Sequence, residues 1–288
     1  MEFVRTNLFN MNNEELLRFW KSLLPKMESL ENSLSIVVQG PLHERLNESL
    51  PHYIKIVEKL QHIVEFDGKV MGEVVVSYWD NDNEKIIKNF KEHDAVKLVK
   101  NHRSKIPEYI HKTGSRGAAP WILQNYTTLK GIESSTGNIC IKVRSDEIYP
   151  RLDVFYKKIK ENLHSEENAK FFTSDIFFRP DKEEKFHISD HIIGAVKCFM
   201  KSAFETSIRE CKNKRILNYS FPEQLICHSI LRSRGIKTKD YKSKEIMKNN
   251  FEIVPINTML GSIWTCSYRK YDKLKSQEAG WLQDIKNI

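Results

Sequence analysis

Short β-branched runs alternate with stretches of helical spacing along most of the chain. Asn12 to Ser33 places Leu16, Leu17, Trp20, Leu23 and Leu24 on one helical face, then breaks at Pro25, which predicts a helical lead-in over residues 1–33. Leu34-Ser35-Ile36-Val37-Val38 has the look of a strand buried on both faces, ending at the turn Gln39-Gly40-Pro41. Helical spacing over Leu50 to Val64 leads to a second strand, Glu73 to Tyr78, and a helix over Glu84 to Glu92 leads to a third, Ala95 to Val99. Trp121 to Ser134 is helical through Ile122, Leu129 and Ile132 and precedes the strand Ile139 to Val143. Leu152 to Leu163 then reads as helix, Lys170 to Phe178 as strand, and Asp190 to Cys211 and Pro222 to Arg234 as helices. Strands alternating with helices imply an α/β fold whose mostly parallel sheet is covered on both faces, with a more helical C-terminal part.

Composition narrows the class. The 288 residues are 40% hydrophobic and 29% charged, enough apolar material for a substantial core, which excludes disorder, collagen and a disulfide scaffold as whole-chain descriptions. Lys and Arg number 46 against 38 acidic residues, a net charge of +8 that favours anionic partners: nucleotides, nucleic acid or a membrane surface. Five cysteines without a CxxC pair suggest neither a disulfide framework nor a zinc knuckle, so a reducing compartment fits best. Met1 to Met11 lacks the apolar stretch of a signal peptide, and no run of about 18 apolar residues could span a bilayer. The expectation is a soluble, cytoplasmic protein.

Ligands of an open parallel sheet bind at the carboxyl ends of its strands. Those ends here carry Gln39, Gly40 and Pro41; Trp79, Asp80, Asn81 and Asp82; and Arg144, Ser145, Asp146 and Glu147. Each loop alone is also ordinary turn chemistry. In the third, a carboxylate directly after a buried strand suits a hard divalent cation, Mg²⁺ or Mn²⁺, held together with substrate phosphates, with Asp146 the first choice of ligand. Asp146 could equally cap the next segment or pair with Arg144. Gly114 to Pro120 offers a backbone free to approach a ligand and Arg116 as a phosphate fork, or a simple loop before a helix. Phe186 to His191 gathers His187, Asp190 and His191, with Ser189 or Asp190 also serviceable as a helix N-cap. Pro222-Glu223-Gln224 opens a helix, where a cap alone explains Glu223. GxGxxG, GxxxxGK[ST], HExxH and GxSxG are all absent, against nicotinamide dehydrogenases, P-loop NTPases, zincins and α/β-hydrolases.

Taken in order, several segments resemble the WavE-like lipopolysaccharide-synthesis glycosyltransferases, a GT-A-type group. They are Ser35 to Pro41, Val75 to Asp80, Gln124 to Gly131 and Ile141 to Asp146, with Phe186 to His191 and Pro222 to Gln224 as further features, so the resemblance spans about Leu34 to Arg234. It implies a GT-A-like, Rossmann-type domain in which 34–150 binds a nucleotide-diphosphate-sugar donor and 151–288 forms the acceptor side. Gln39, Gly40, Pro41 and Asp80 would surround the donor nucleotide, with Gln124, Arg144, Ser145 and Arg116 as further donor contacts, and Asp146 would stand in for the Asp-x-Asp motif that binds metal and diphosphate. The chain departs from the family in two places: Ile122-Leu123-Gln124 stands where Asn-Arg-Gln is usual, and Ser145-Asp146-Glu147 carries one aspartate instead of two.

The implied reaction moves the sugar to a glycan acceptor, a polysaccharide, a lipopolysaccharide-like glycan or a glycoprotein. Negative charge grows on the leaving diphosphate while the sugar gains oxocarbenium character. A cation and basic side chains stabilise the first, and an inverting transfer needs a carboxylate to take the acceptor's proton, with Asp190 preferred and Glu223 second. A metal-dependent nucleotidyltransferase or phosphotransferase would want the same Asp146 and cation. A basic nucleic-acid-binding module is the non-enzymatic alternative, motivated by the net charge and the aromatic-lysine mixture from Trp264 to Lys275, although interspersed charge more often makes a soluble face and no nucleic acid is expected.

Overall fold

The computed structural model describes residues 33–61, 72–103, 119–162, 170–176, 185–212, 219, 221–238 and 243–259. The expected helical lead-in, the loop carrying Arg116 and the aromatic-lysine stretch after Trp264 lie outside them. Among the described residues, seven strands form one sheet: β1 (Leu34–Gln39), β2 (Gly72–Trp79), β3 (Val96–Asn101), β4 (Ile139–Arg144), β5 (Phe171–Ser174), β6 (Ile193–Val196) and β7 (Phe251–Val254). Their order is β3-β2-β1-β4-β6-β5-β7. Pairing is parallel throughout except for β6, which runs antiparallel to both β4 and β5.

Every residue of β1 and β2 is buried, as expected of central strands covered on both faces. Side-chain alternation divides them between two layers. Leu34, Ile36, Val38, Val74, Val76, Ile139, Ile141 and Val143 face α1 (Leu46–Gln61) and α3 (Leu152–Glu161), through Leu50, Tyr53, Val57, Phe155 and Ile159. Val37, Val75, Cys140, Ile193 and Ala195 face the other way, toward Leu129 and Ile132 of α2 (Ala119–Ser134), Met200 and Phe204 of α4 (Lys197–Lys212), and Ile226 and Ile230 of α5 (Pro222–Ser233). Each of these fully buried aliphatic side chains stabilises the fold by about 1.5–3 kcal/mol relative to exposure.

The α/β architecture and its mostly parallel sheet agree with the sequence reading. Three details differ. Glu84–Phe90 is a 3-10 helix, opened by Asn83, whose side chain accepts from Lys85 N at 3.2 Å. A short helix, α6 (Ser243–Asn250), and β7 after it went unread. More consequential, Asp190 to Val196 is not the start of a helix: residues 187–192 are irregular, 193–196 form β6, and α4 begins only at Lys197. Ser189 and Asp190 therefore cap no helix. Gly194 is why a strand fits: a Cβ there would lie 2.6 Å from Ile159 Cδ1 and 2.9 Å from Phe155 Cε1, so α3 can press directly onto the strand backbone. Among the described residues, no helix is long and apolar enough to cross a membrane.

Candidate functional site

Because β6 runs against its neighbours, its entry lies at the same sheet edge as the exits of β1, β2 and β4. That edge collects most of the residues singled out from sequence. At the exit of β1, Gln39 pairs in register with Arg144 of β4. Ser145 N donates to Gln39 O at 3.0 Å, and Ser145 Oγ donates to Pro41 O at 2.6 Å. Gly40 sits at φ +118°, a conformation side chains rarely adopt, and a Cβ there would come within 2.9 Å of Ser145 Oγ. Thr127 Oγ1 of α2 donates to the Gln39 side-chain carbonyl at 3.2 Å. The Gln39-Gly40-Pro41 bend and the Arg144-Ser145-Asp146 turn are thus one bonded unit.

The second loop is tied to this unit by a residue that sequence reading left as turn chemistry. Asp82 Oδ2 accepts from Leu42 N at 3.0 Å and from Trp79 N at 2.9 Å, linking the chain after β1 to the end of β2. Asp80 is more exposed and bonds His102 Nδ1 at 2.9 Å, an interaction that holds its carboxyl below the ordinary value.

Beneath the rim lies an ionic cluster. Arg144 grips Asp146 with two parallel bonds, Nε to Oδ1 and a terminal nitrogen to Oδ2, both at 2.9 Å, and its Nε is also 3.4 Å from Glu147 Oε1. The pairing left open from sequence is therefore made. Burial works against the Arg144 charge, but Asp146, Glu147 and Asp190 outweigh it and keep the guanidinium charged. Glu147 is fully buried: Tyr149 OH donates to its Oε2 at 2.5 Å, and His191 Nδ1 bonds its Oε1. Burial pushes the Glu147 carboxyl up, yet His191 and Arg144 bring it below the usual carboxylate value.

Asp190 completes the group. Gln124 Nε2 donates to its Oδ2 at 2.6 Å, and His191 Nε2 lies 3.7 Å from its Oδ1. Burial again opposes the charge, and His191, Lys142, Arg144 and the Gln124 bond together hold the carboxyl well down, so it stays ionised. Lys142, in the interior of β4, donates from Nζ to the backbone carbonyl of Asp190. Its side chain is fully buried, and that burial brings its pKa down to about 8 although Asp190 pulls the other way.

Of the expected residues, Gln39, Gly40, Pro41, Gln124, Arg144, Ser145, Asp146 and Asp190 are brought together; Asp80 stands one loop away. Glu223 lies in the first turn of α5 after Pro222, with its Oε2 3.9 Å from His187 Nε2, three positions before Asp190. The sequence reading placed Asp82, Glu147 and His191 in its candidate loops without giving them a role, and it did not single out Lys142. For Lys142 a signal was present, a charged residue inside an otherwise apolar strand.

The donor set for a cation is one carboxylate. Among the described residues, no group of three or more His, Cys, Asp or Glu is arranged to hold a metal ion. Asp146 therefore fits a hard cation that arrives with diphosphate oxygens and water, as Mg²⁺ and Mn²⁺ do, but not an all-protein cage.

Among solved structures, the chain is similar to glucosyl-3-phosphoglycerate synthase from Mycobacterium tuberculosis. The complex of that enzyme with Mn²⁺, uridine diphosphate and phosphoglyceric acid is 12% identical, with 88% of this chain and 78% of that chain covered and a TM-score of 0.42. Its complex with Mg²⁺ and uridine diphosphate is 13% identical, covering 88% and 79%, with the same TM-score of 0.42. No protein-family model and no curated protein matches the chain.

Proposed function

We propose that the chain is a glycosyltransferase of the WavE-like kind, transferring a sugar from a nucleotide-diphosphate donor to a glycan acceptor with a divalent cation and inversion at the sugar carbon. The observation that carries this reading is the bonded unit of Gln39-Gly40-Pro41 and Arg144-Ser145-Asp146 at the strand-exit edge, with an ionised, buried Asp190 beside it. A glycine bend in a conformation that side chains rarely adopt, next to a basic-acidic turn, offers close backbone approach, guanidinium charge and a carboxylate to one anionic ligand. Gln39, Gly40, Pro41 and Asp80 take the nucleotide, with Gln124, Ser145 and Arg116 as further donor contacts, while Arg144 places positive charge beside the diphosphate.

Asp146 would hold Mn²⁺ or Mg²⁺, which when bound neutralises charge developing on the leaving diphosphate. The remaining chemistry belongs to the protein. As the bond from the sugar's anomeric carbon to the diphosphate oxygen breaks and the acceptor hydroxyl oxygen bonds that carbon, the hydroxyl proton passes to the Asp190 carboxylate. Gln124 and His191 fix the Asp190 carboxyl from two sides. Glu223, on the acceptor side of the site with His187, is the second candidate for that role.

The test is a thermal-shift panel of UDP-glucose, UDP-galactose, UDP-N-acetylglucosamine, GDP-mannose, a CMP-sugar and nucleoside triphosphates, each with and without Mn²⁺, repeated on Asp146→Asn. One nucleotide sugar is expected to raise the Tm with Mn²⁺, and Asp146→Asn to weaken that response. If no nucleotide sugar stabilises the protein, or the variant responds identically, the reading is wrong.

A further inference from the structure

A lysine with no exposed surface in the middle of a central strand is costly, because its charge loses water on every side. Lys142 lies between Ile141 and Val143 on β4, its Cα paired with Val37 of β1 and Ile193 of β6. An apolar residue there would extend the layer of Val37, Cys140 and Ile193 without that cost. What Lys142 gains is specific: its Nζ reaches across the start of β6 to the main-chain carbonyl of Asp190, on an irregular segment that has no strand pairing of its own before residue 193.

We propose that Lys142 is a positioning residue for Asp190, holding its backbone carbonyl so that the carboxyl meets Gln124 and placing a positive charge beside that segment. The inference rests on Asp190 being the proton acceptor. The other charged groups facing Asp190 are His191 from its own segment and Arg144 from β4, with Gln124 the polar contact from α2. Those facing Lys142 are Asp190, Arg144, Glu147 and Asp146. Arg144 bonds Asp146 and Glu147, and His191 bonds Glu147 through Nδ1 with its Nε2 3.7 Å from Asp190 Oδ1, whereas Lys142 bonds the main-chain carbonyl of Asp190. The carbonyl bond acts on position and the ammonium charge on the proton equilibrium, and the two are separable by substitution.

The experiment uses the full chain, Mn²⁺ and the nucleotide sugar from the panel that stabilises the wild type most, and follows its slow hydrolysis. In that reaction the sugar-diphosphate bond breaks, water oxygen bonds the anomeric carbon, one water proton passes to Asp190, and nucleoside diphosphate is released and measured. Lys142→Gln keeps a donor for the carbonyl and removes the charge. It is expected to leave donor KM within about two-fold and to move the acid limb of the kcat profile upward by about one pH unit or more. Lys142→Met removes both, and its kcat is expected to fall about ten-fold or more even on the plateau, again with donor KM little changed. If Lys142→Met does not fold, the acid limb of Lys142→Gln decides alone. An unmoved acid limb, or a loss in donor KM matching the loss in kcat, overturns the inference and makes Lys142 a structural residue. Asp190→Asn separates the two levels: if it hydrolyses donor at the wild-type rate, the proton-acceptor reading has failed and Lys142 falls with it. If Asp190→Asn is inactive while both Lys142 variants keep the wild-type profile, the Lys142 inference alone is wrong.

Discussion

Gln124 Nε2 lies 2.6 Å from Asp190 Oδ2 across 66 positions of sequence, joining the second turn of α2 to the segment that enters β6. The bond makes one of the proposed donor contacts also a support of the proposed base. Gln124→Leu is therefore expected to lower transfer without abolishing folding: loss of a hydrogen bond to a charged group costs about 1.5–3 kcal/mol. Parallel measurement of kcat and of urea unfolding checks this, with a stability loss alone arguing that the bond serves only the fold.

Arg144 neutralises two buried or nearly buried carboxylates at once. Removing it by Arg144→Gln leaves Asp146 and Glu147 short of a counter-charge, at a cost of about 3–5 kcal/mol, read as a lower midpoint in urea denaturation at neutral pH. At pH near 4, where carboxylates take up protons, the deficit is expected to shrink.

Gly40 tests the bend itself. Gly40→Ala must hold φ near +118° and admit a Cβ at 2.9 Å from Ser145 Oγ, so the Ser145 to Pro41 bond has to give. A loss of about 1–3 kcal/mol in unfolding free energy, together with a lost nucleotide-sugar thermal shift, is the expected result.

Asp82 is the joint between two loops. Asp82→Ala strips the acceptor from the backbone N–H groups of Leu42 and Trp79, and a destabilisation of about 1–3 kcal/mol is expected by urea unfolding, with Asp82→Asn closer to wild type because an amide oxygen still accepts.

Stability should depend on pH from both ends of the cluster. Glu147 has a folded pKa below its unfolded one, so its contribution is complete above the unfolded value near 4.3 and is lost as pH falls through the folded value; Glu147→Gln removes this acid dependence. Lys142 has the opposite sense. Its folded pKa of about 8 lies below the unfolded value, so between the two the unfolded chain binds more protons and unfolding free energy rises with pH. The stability of the wild type relative to Lys142→Met should climb across that alkaline window, by on the order of 3 kcal/mol.

Strands buried on both faces were legible from their short β-branched runs, as in Ile36 to Val38 and Val74 to Val76. The exits of those strands followed from the same runs, and with them most of the candidate site. The entry to β6 was not legible: Ile188, Ile192, Ala195 and Phe199 keep a helical interval, whereas the strand is made by pairing with β4 and β5, with Gly194 leaving room for Phe155 and Ile159. The contacts that organise the site were out of reach for a different reason. Lys142 meets a backbone atom 48 positions away and Glu147 a ring 44 positions away, so the lysine stands out in its apolar strand but neither partner leaves a local pattern.

The reversed direction of β6 carries one more consequence. Asp190 and His191 enter the sheet instead of leaving it, so their placement is inherited from how β6 registers against Cys140 and Lys142. A slip of one residue there would turn the entering chain over and present its odd-numbered side chains where the even-numbered ones had been. Single-residue insertions or deletions between 191 and 196 should therefore be far less tolerated than the same changes at the exposed turn following α5.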